Sequence, residues 1–221
     1  PVKLLVVGCV GKLIVICFDK DVYILCTLGL TGKFVCKKGK HSGVVFDFQD
    51  KKIFFDDQIH YGTLKVVNFA SMFAKVTSLG PDVCVEGTVS RSYLVNCLSK
   101  YGGWEIAKLL MHQGVFSGIG NYLKAEILYS SRIAPRSLCG SIKDEKIDAL
   151  LASINEIASR HYEQILRGRR ERLSVYGRKK DQHGYRIQKI KTTDVLNSEL
   201  LKKLNLIKKN SKKLKILGSG E

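Results

Sequence analysis

The chain changes its hydrophobic period once, and that switch constrains the fold more than any other feature. Up to about Val67 the apolar residues fall in short runs, at 4–7, 12–18, 22–28, 43–48, 52–55 and 63–67. The runs are rich in β-branched and aromatic residues and are separated by Gly, Asp or Lys, the pattern of antiparallel strands. After Thr77-Ser-Leu-Gly-Pro-Asp82 the spacing becomes helical. Residues 90–100 and 104–111 read as helices, and 138–165 carries Ile142, Ile147, Leu150, Leu151, Ile154, Ile157 and Ala158 at helical intervals. An α+β chain follows, with an antiparallel β-sandwich over 1–80 and a helical domain over 81–170. Trp104 is most simply a core residue of the second.

Within the helical part, residues 109–135 are the most specific stretch. Ile106, Leu109 and Leu110 end one helix; Tyr122, Leu123, Ala125, Glu126, Ile127 and Leu128 form the next, entered through Gly118-Ile119-Gly120-Asn121. Two glycines around one apolar residue allow a tight turn and a close backbone approach. Asn121 falls where a helix N-cap belongs, in front of backbone N–H groups that an anion can accept from. Pro135 is expected to close the second helix. A Gly-x-Gly turn also occurs in a plain helix hairpin, and spacing does not separate the two.

Charge points to the kind of partner. The net charge is +17, and residues 167–221 hold +12 of it. A basic block gathered at one end is the footprint of a polyanion-binding protein; a solvated tail is the competing reading for the last thirty residues. The seven cysteines, Cys9, Cys17, Cys26, Cys36, Cys84, Cys97 and Cys139, include no Cys-x-x-Cys pair, and several sit inside strand patterns. Neither a disulfide framework nor a zinc site is expected, which suits an intracellular, reducing compartment. No apolar run is long enough to cross a membrane as a helix.

Taken in order, Leu110-Met111, Gln113, Gly118-Ile119-Gly120-Asn121, Ala125-Glu126 and Arg132-Ile133 through Pro135 resemble the helix–two-turn–helix motif of the formamidopyrimidine-DNA glycosylase/endonuclease VIII family. The segments at Val10-Gly11-Lys12, Thr27-Leu-Gly-Leu30-Thr-Gly32, Lys40-His41 and Phe54-Phe-Asp-Asp57 through Tyr61-Gly62 follow that family's sandwich in the same order. The resemblance implies a base-excision-repair protein, a bifunctional DNA glycosylase and abasic-site lyase. Its partner is double-stranded DNA with a damaged or abasic site, and it acts as a monomer without a cofactor.

By the same resemblance Gly120 and Asn121 hold phosphates, Leu30 is the apolar wedge that fills the gap left by an extruded base, and Lys40 and His41 touch the DNA backbone. His112 stands where many relatives are acidic, and His60 where they usually carry arginine. Lys12 matches a strand lysine near the family's active site; a solvated lysine after a turn is an equal reading. The family's catalytic Pro-Glu start and opening helix have no counterpart here. Pro1 aligns inside the first domain and is not expected to be the catalytic amine, so the catalytic residue is left unassigned. The chain is expected to be either a fragment or a degenerate homologue.

Residues 175–190 resemble the opening of the family's C-terminal finger hairpin, with Asp181-Gln-His-Gly184 where a first Cys pair would stand. This implies the zinc-free branch, no metal, and backbone contacts from Arg178, Lys179 and Arg186. The expected finger remnant covers 171–194 and a basic tail 195–221. A non-catalytic nucleic-acid-binding module, for DNA or RNA, is the alternative function.

Overall fold

The computed structural model describes residues 1–166, apart from Glu86. The expected finger and tail, with Arg178, Lys179 and Arg186, lie outside the described residues. The described chain divides after Thr77 into two units.

The first unit contains strands β1 (Leu4–Val10), β2 (Leu13–Phe18), β3 (Tyr23–Thr27), β4 (Lys33–Val35), β5 (Ser42–Asp47), β6 (Lys52–Asp56) and β7 (Thr63–Val67). They form two antiparallel sheets, ordered β1-β2-β3-β7 and β4-β6-β5. A tight Gly11-Lys12 turn joins β1 to β2, with Val10 paired to Leu13 and Gly11 at φ 56°. The run Leu-Ile-Val-Ile-Cys-Phe of β2 is buried at every position except Ile14, so its unbroken apolar character fits a strand covered on both faces. Cys17 and Cys26 pack there as small hydrophobes, and burial pushes the Cys26 thiol up to about 11. In the second sheet Phe34 packs against Phe46 and Phe55. An open groove of about 560 Å³ is lined by Phe18, Ile24 and Leu64 of one sheet and by Val45 and Phe46 of the other, with Phe48 from the turn after β5.

Two elements of this unit were not expected. β4 is only three residues long, too short to show alternation. Helix α1 (Phe69–Thr77) follows β7 directly, capped by Asn68, whose Oδ1 accepts from the Ser71 N–H at 3.0 Å. Its apolar residues Phe69, Met72, Phe73 and Val76 keep helical spacing, and Met72 and Val76 are buried.

The second unit holds α2 (Arg91–Lys100), α3 (Ile106–Met111), α4 (Asn121–Ser130), a 3-10 turn at Cys139–Ser141 and α5 (Asp144–Leu166). Leu94, Ile106, Leu109, Phe116, Ile127 and Leu150 are fully buried at its centre. Each such side chain contributes about 1.5–3 kcal/mol relative to an exposed position. Ser90 caps α2 by accepting the Tyr93 N–H at 3.2 Å. Arg91 ties α2 to α5 through Asp144 and Asp148, both at 2.8 Å.

Three helix limits differ from the sequence expectation, two for a hydrogen-bonding reason and one for an electrostatic reason. α3 begins at Ile106 because the Ile106 and Ala107 N–H groups donate to the carbonyls of Ser137 and Pro135, at 2.9 and 3.1 Å. Trp104 therefore precedes the helix. It is half-buried, 4.8 Å from the Tyr101 ring and 5.7 Å from His112, with the Lys108 ammonium 4.0 Å from its centre. α4 stops at Ser130, well short of Pro135. Arg132 takes the left-handed conformation at φ 52°, its N–H donating to Tyr129 and the Ile133 N–H to Leu128. This is a Schellman termination. α5 starts at Asp144 rather than near 138, with Asp144 and Glu145 complementing its positive end.

Candidate nucleic-acid interface

The link from α3 to α4 is stitched from within by one side chain. Gln113 Nε2 donates to the carbonyls of Met111 (3.0 Å) and Ile119 (2.9 Å), and its Oε1 accepts the Gly118 N–H at 3.1 Å. The Val115 and Phe116 amides donate to the His112 carbonyl at 2.8 and 2.9 Å, and the Ser117 amide donates to Pro81 at 2.9 Å. The Tyr93 hydroxyl donates to the Val115 carbonyl at 2.7 Å. Phe116 and Ile119 are fully buried beneath the turn. The α3–α4 connection is thus a fixed platform rather than a loose loop.

Two details correct the sequence reading. The glycine that needs left-handed backbone is Gly118, at φ 102°; Gly120, at φ −114° and ψ −176°, is extended and open to any residue. The N-cap of α4 is Gly120, not Asn121, and no side chain caps it. Asn121 is the first helical residue, because the Gly120 carbonyl already accepts the first helical bond, from Lys124 N–H at 2.8 Å. Its exposed amide is oriented by Lys124, whose ammonium donates to Asn121 Oδ1 at 2.9 Å. With the oxygen so engaged, the NH₂ end of the exposed amide is the end left to donate. The beginning of α4 thereby presents a helix dipole, an amide donor and a lysine cation to an anion. Lys124 was not singled out from sequence, although its i+3 spacing from Asn121 carried the signal.

In the first unit the expected residues stand on two loops tied to successive buried carboxylates. Leu30, 61% exposed, is at the apex of a loop closed by the Gly32 N–H donating to the Leu28 carbonyl at 2.8 Å. Beneath it Asp57 is 4% exposed. Its Oδ1 accepts the Thr31 hydroxyl and its Oδ2 accepts the Gly62 N–H at 2.7 Å, while Thr31 Oγ1 accepts the Ile59 N–H at 3.2 Å. The Thr31 hydroxyl, and after it the Gly62 amide, hold the Asp57 carboxyl below the usual carboxylate range. Gly29, at φ 59°, lies so close to the 57–62 loop that a Cβ there would stand 2.7 Å from the Tyr61 carbonyl carbon. Tyr61 is 68% exposed, and Leu28 and Ile59 are also exposed.

Asp56 anchors the neighbouring loop. It accepts the Ser42 hydroxyl at 3.0 Å and pairs with Lys33 at 3.6 Å, while Ser42 Oγ accepts the Gly39 N–H at 2.8 Å. Lys40 is exposed and His41 half-buried on this loop, and the His41 carbonyl accepts the Asp57 N–H at 3.1 Å. His60 is exposed and left-handed at φ 56°. Lys12 stands on the separate β1–β2 turn, where desolvation lowers its pKa. The Pro1 carbonyl accepts from Lys20 at 3.0 Å, and Pro1 lines the groove between the sheets. Among the described residues no group of three His, Cys, Asp or Glu side chains converges as a metal site would require.

Residues 79–166 match the formamidopyrimidine-DNA glycosylase H2TH domain. The chain is 28% identical over 159 residues to the formamidopyrimidine-DNA glycosylase of Rickettsia felis, covering 68% of this chain and 56% of that protein. It is 30% identical over 161 residues to the Lactobacillus johnsonii enzyme of the same name, covering 69% and 58%. It thus spans little more than half the length of these relatives. Among solved structures it is similar to the MutM (Fpg) protein of Thermus thermophilus, with a TM-score of 0.67, 21% identity and coverage of 73% and 61%. It is similar also to Lactococcus lactis Fpg bound non-covalently to DNA containing an abasic site, with a TM-score of 0.66, 20% identity and coverage of 74% and 65%. Two antiparallel sheets, a glutamine-stitched turn between α3 and α4, and these matches together make the chain a member of the formamidopyrimidine-DNA glycosylase/endonuclease VIII family.

Proposed function

We propose that the chain is part of a DNA base-excision-repair protein that holds duplex DNA at a damaged or abasic site and serves glycosylase and abasic-site lyase chemistry. The observation that carries this reading is the platform at the start of α4, where Gln113 fixes the turn and Lys124 bonds the exposed Asn121 amide. A phosphate accepts from such a group of donors without any base being read, so affinity here is independent of sequence. The relatives named formamidopyrimidine-DNA glycosylase, and the Fpg structure holding abasic-site DNA, support the same partner.

In this reading Leu30 is the wedge. Extruding a nucleotide costs a few kcal/mol of stacking, and an apolar side chain inserted in its place recovers part of it. Lys40 and His41 contribute backbone contacts from the next loop. Lyase chemistry needs an unprotonated amine to add to the C1′ aldehyde of the ring-opened abasic sugar, with loss of water as the Schiff base forms. Lys12 is the candidate within this chain, since it matches a strand lysine near the family's active site, and burial lowers its pKa. Arg178, Lys179 and Arg186 add cationic charge, and the finger belongs to the zinc-free branch.

The test is binding of the 221-residue chain to a duplex with a tetrahydrofuran abasic site, against the same duplex undamaged. Tighter binding of the abasic duplex supports the reading; equal, weak binding of both contradicts it. Borohydride trapping on abasic-site DNA, lost in Lys12→Met, would assign the amine, and trapping unchanged by Lys12→Met would remove Lys12.

A further inference from the structure

The polar knot beneath Leu30 carries an inference that rests on the wedge reading and goes beyond it. We propose that Asp57 is a positioning residue which, acting through Thr31, fixes the Leu28–Gly32 loop so that Leu30 is presented to DNA in one conformation. An exposed apolar side chain on a loop of two glycines has no packing of its own to hold it. Here the restraint is supplied from below, residue by residue. Asp57 is buried, yet it carries a carboxylate that neither sheet needs for its pairing.

The hydrogen bonds of that carboxylate run to two loops. Oδ1 accepts from Thr31, the residue after Leu30, and Oδ2 accepts from Gly62 in the 57–62 loop. Thr31 relays the restraint, since its Oγ1 also accepts the Ile59 amide at 3.2 Å. At Gly29 the two loops touch backbone to backbone, so neither can shift alone. Leu30 is thereby bracketed on both sides, by the Gly29 contact and by the Thr31–Asp57 bond, while its own side chain stays exposed. A carboxylate suits this task better than a neutral group, because hydrogen bonds to an ionised acceptor are the stronger kind and two donors can be held at once.

Pre-setting the loop matters for a wedge in particular. A side chain already in its inserted conformation loses less conformational freedom on binding than one on a mobile loop. The benefit falls only on DNA that has a gap to fill, and leaves backbone binding of intact duplex unchanged.

The experiment uses the 221-residue chain and compares abasic with undamaged duplex, with 2-aminopurine opposite the abasic site reporting insertion. Thr31→Val, close in shape but unable to donate to Asp57, is expected to lower the preference for abasic DNA about three- to tenfold, the range of one hydrogen bond. Undamaged-duplex affinity should stay near wild type, while Tm falls modestly with the lost hydrogen bond and the variant remains folded. Thr31→Ser should restore the preference, and Asp57→Asn should reduce it as Thr31→Val does. Leu30→Ala should lower the same preference, and Leu30→Ala with Thr31→Val should lose no more than Leu30→Ala alone, because the knot acts only through Leu30. If Leu30→Ala loses preference while folded Thr31→Val and Asp57→Asn keep it, the positioning role is overturned and the wedge stands. If Leu30→Ala itself changes nothing, the wedge reading fails and takes the positioning role with it.

Discussion

The two units hold their exposed functional ends by different chemistry. In the sheet unit, loops that begin and end on strands are pinned by buried carboxylates, Asp57 to Thr31 and Gly62, and Asp56 to Ser42 and Lys33. In the helical unit the α3–α4 turn is pinned by a neutral amide, Gln113, using both its donor and its acceptor ends. The contrast follows from what each site must satisfy. The sheet loops offer only donors to the residue beneath them, which an ionised carboxylate accepts without needing a donor of its own. The helical turn leaves both carbonyls and an N–H unpaired, which an amide alone can serve together. One unit is therefore sensitive to acid at its knot, and the other is not.

The largest effect should come from the backbone of the turn. Gly118→Val forces a β-branched residue to φ 102° and should cost about 1–3 kcal/mol of stability with at least a tenfold loss of abasic-duplex affinity. Gly120→Val, on extended backbone, should stay within a few-fold of wild type in both. Urea denaturation and fluorescence anisotropy of the pair decide which glycine the turn requires.

Removing the neutral stitch comes next. Gln113→Ala strands the Gly118 N–H and the Ile119 carbonyl in a half-buried turn and should cost about 1–3 kcal/mol in urea denaturation. Gln113→Glu retains the acceptor and loses both donations, so it should recover only part of that stability. A Gln113→Glu variant as stable as wild type would show that the carbonyl bonds contribute nothing.

A smaller, pH-dependent effect separates the units. The folded Asp57 carboxyl lies below its ordinary value, so the bound anion stabilises the fold fully above about pH 4, the unfolded carboxylate range. That stabilisation is lost as pH falls through the depressed folded value. Between pH 6 and 2.5 the Tm of wild type should therefore fall further than that of Asp57→Asn. Gln113→Ala should keep a constant offset from wild type over the same range. Parallel curves for wild type and Asp57→Asn would mean that the carboxylate is not the acceptor.

Much of this was legible in the sequence, and the exceptions have physical causes. Strand runs with clear alternation or continuous β-branched residues, such as 12–18 and 63–67, lie within one or two residues of β2 and β7. β4 escaped notice because three residues show no period. The helix limits at Ile106 and Ser130 are set by distant carbonyls and by a left-handed arginine, and neither leaves a local signature, whereas the start at Asp144 carried one in its acidic first turn. α1 is different: Asn68 and the spacing of Phe69, Met72, Phe73 and Val76 were readable, but they follow straight after a strand pattern without a break. At the site, Leu30, Lys40, Gly120 and Asn121 are named by the family motif, and the fold puts the first two on exposed loops and the last two at the start of α4. Asp57 and Gln113 stand inside the motif segments and Lys124 at i+3 from Asn121, but their bonds, to residues 2 to 26 positions away, are set by the fold.

The central claim is that the start of α4 grips phosphate, and a salt series tests it most directly. Binding of the tetrahydrofuran duplex would be measured for wild type, Lys124→Met and Asn121→Ala from about 50 to 200 mM salt, the range over which counterion release is visible. Lys124→Met should weaken binding and flatten the log K against log salt slope by about 0.9, the contribution of one neutralised phosphate. Asn121→Ala should weaken binding about two- to twelvefold with the slope unchanged, because it removes a neutral donor. If both variants match wild type in affinity and slope, α3 and α4 are a helix hairpin alone and the phosphate grip is contradicted.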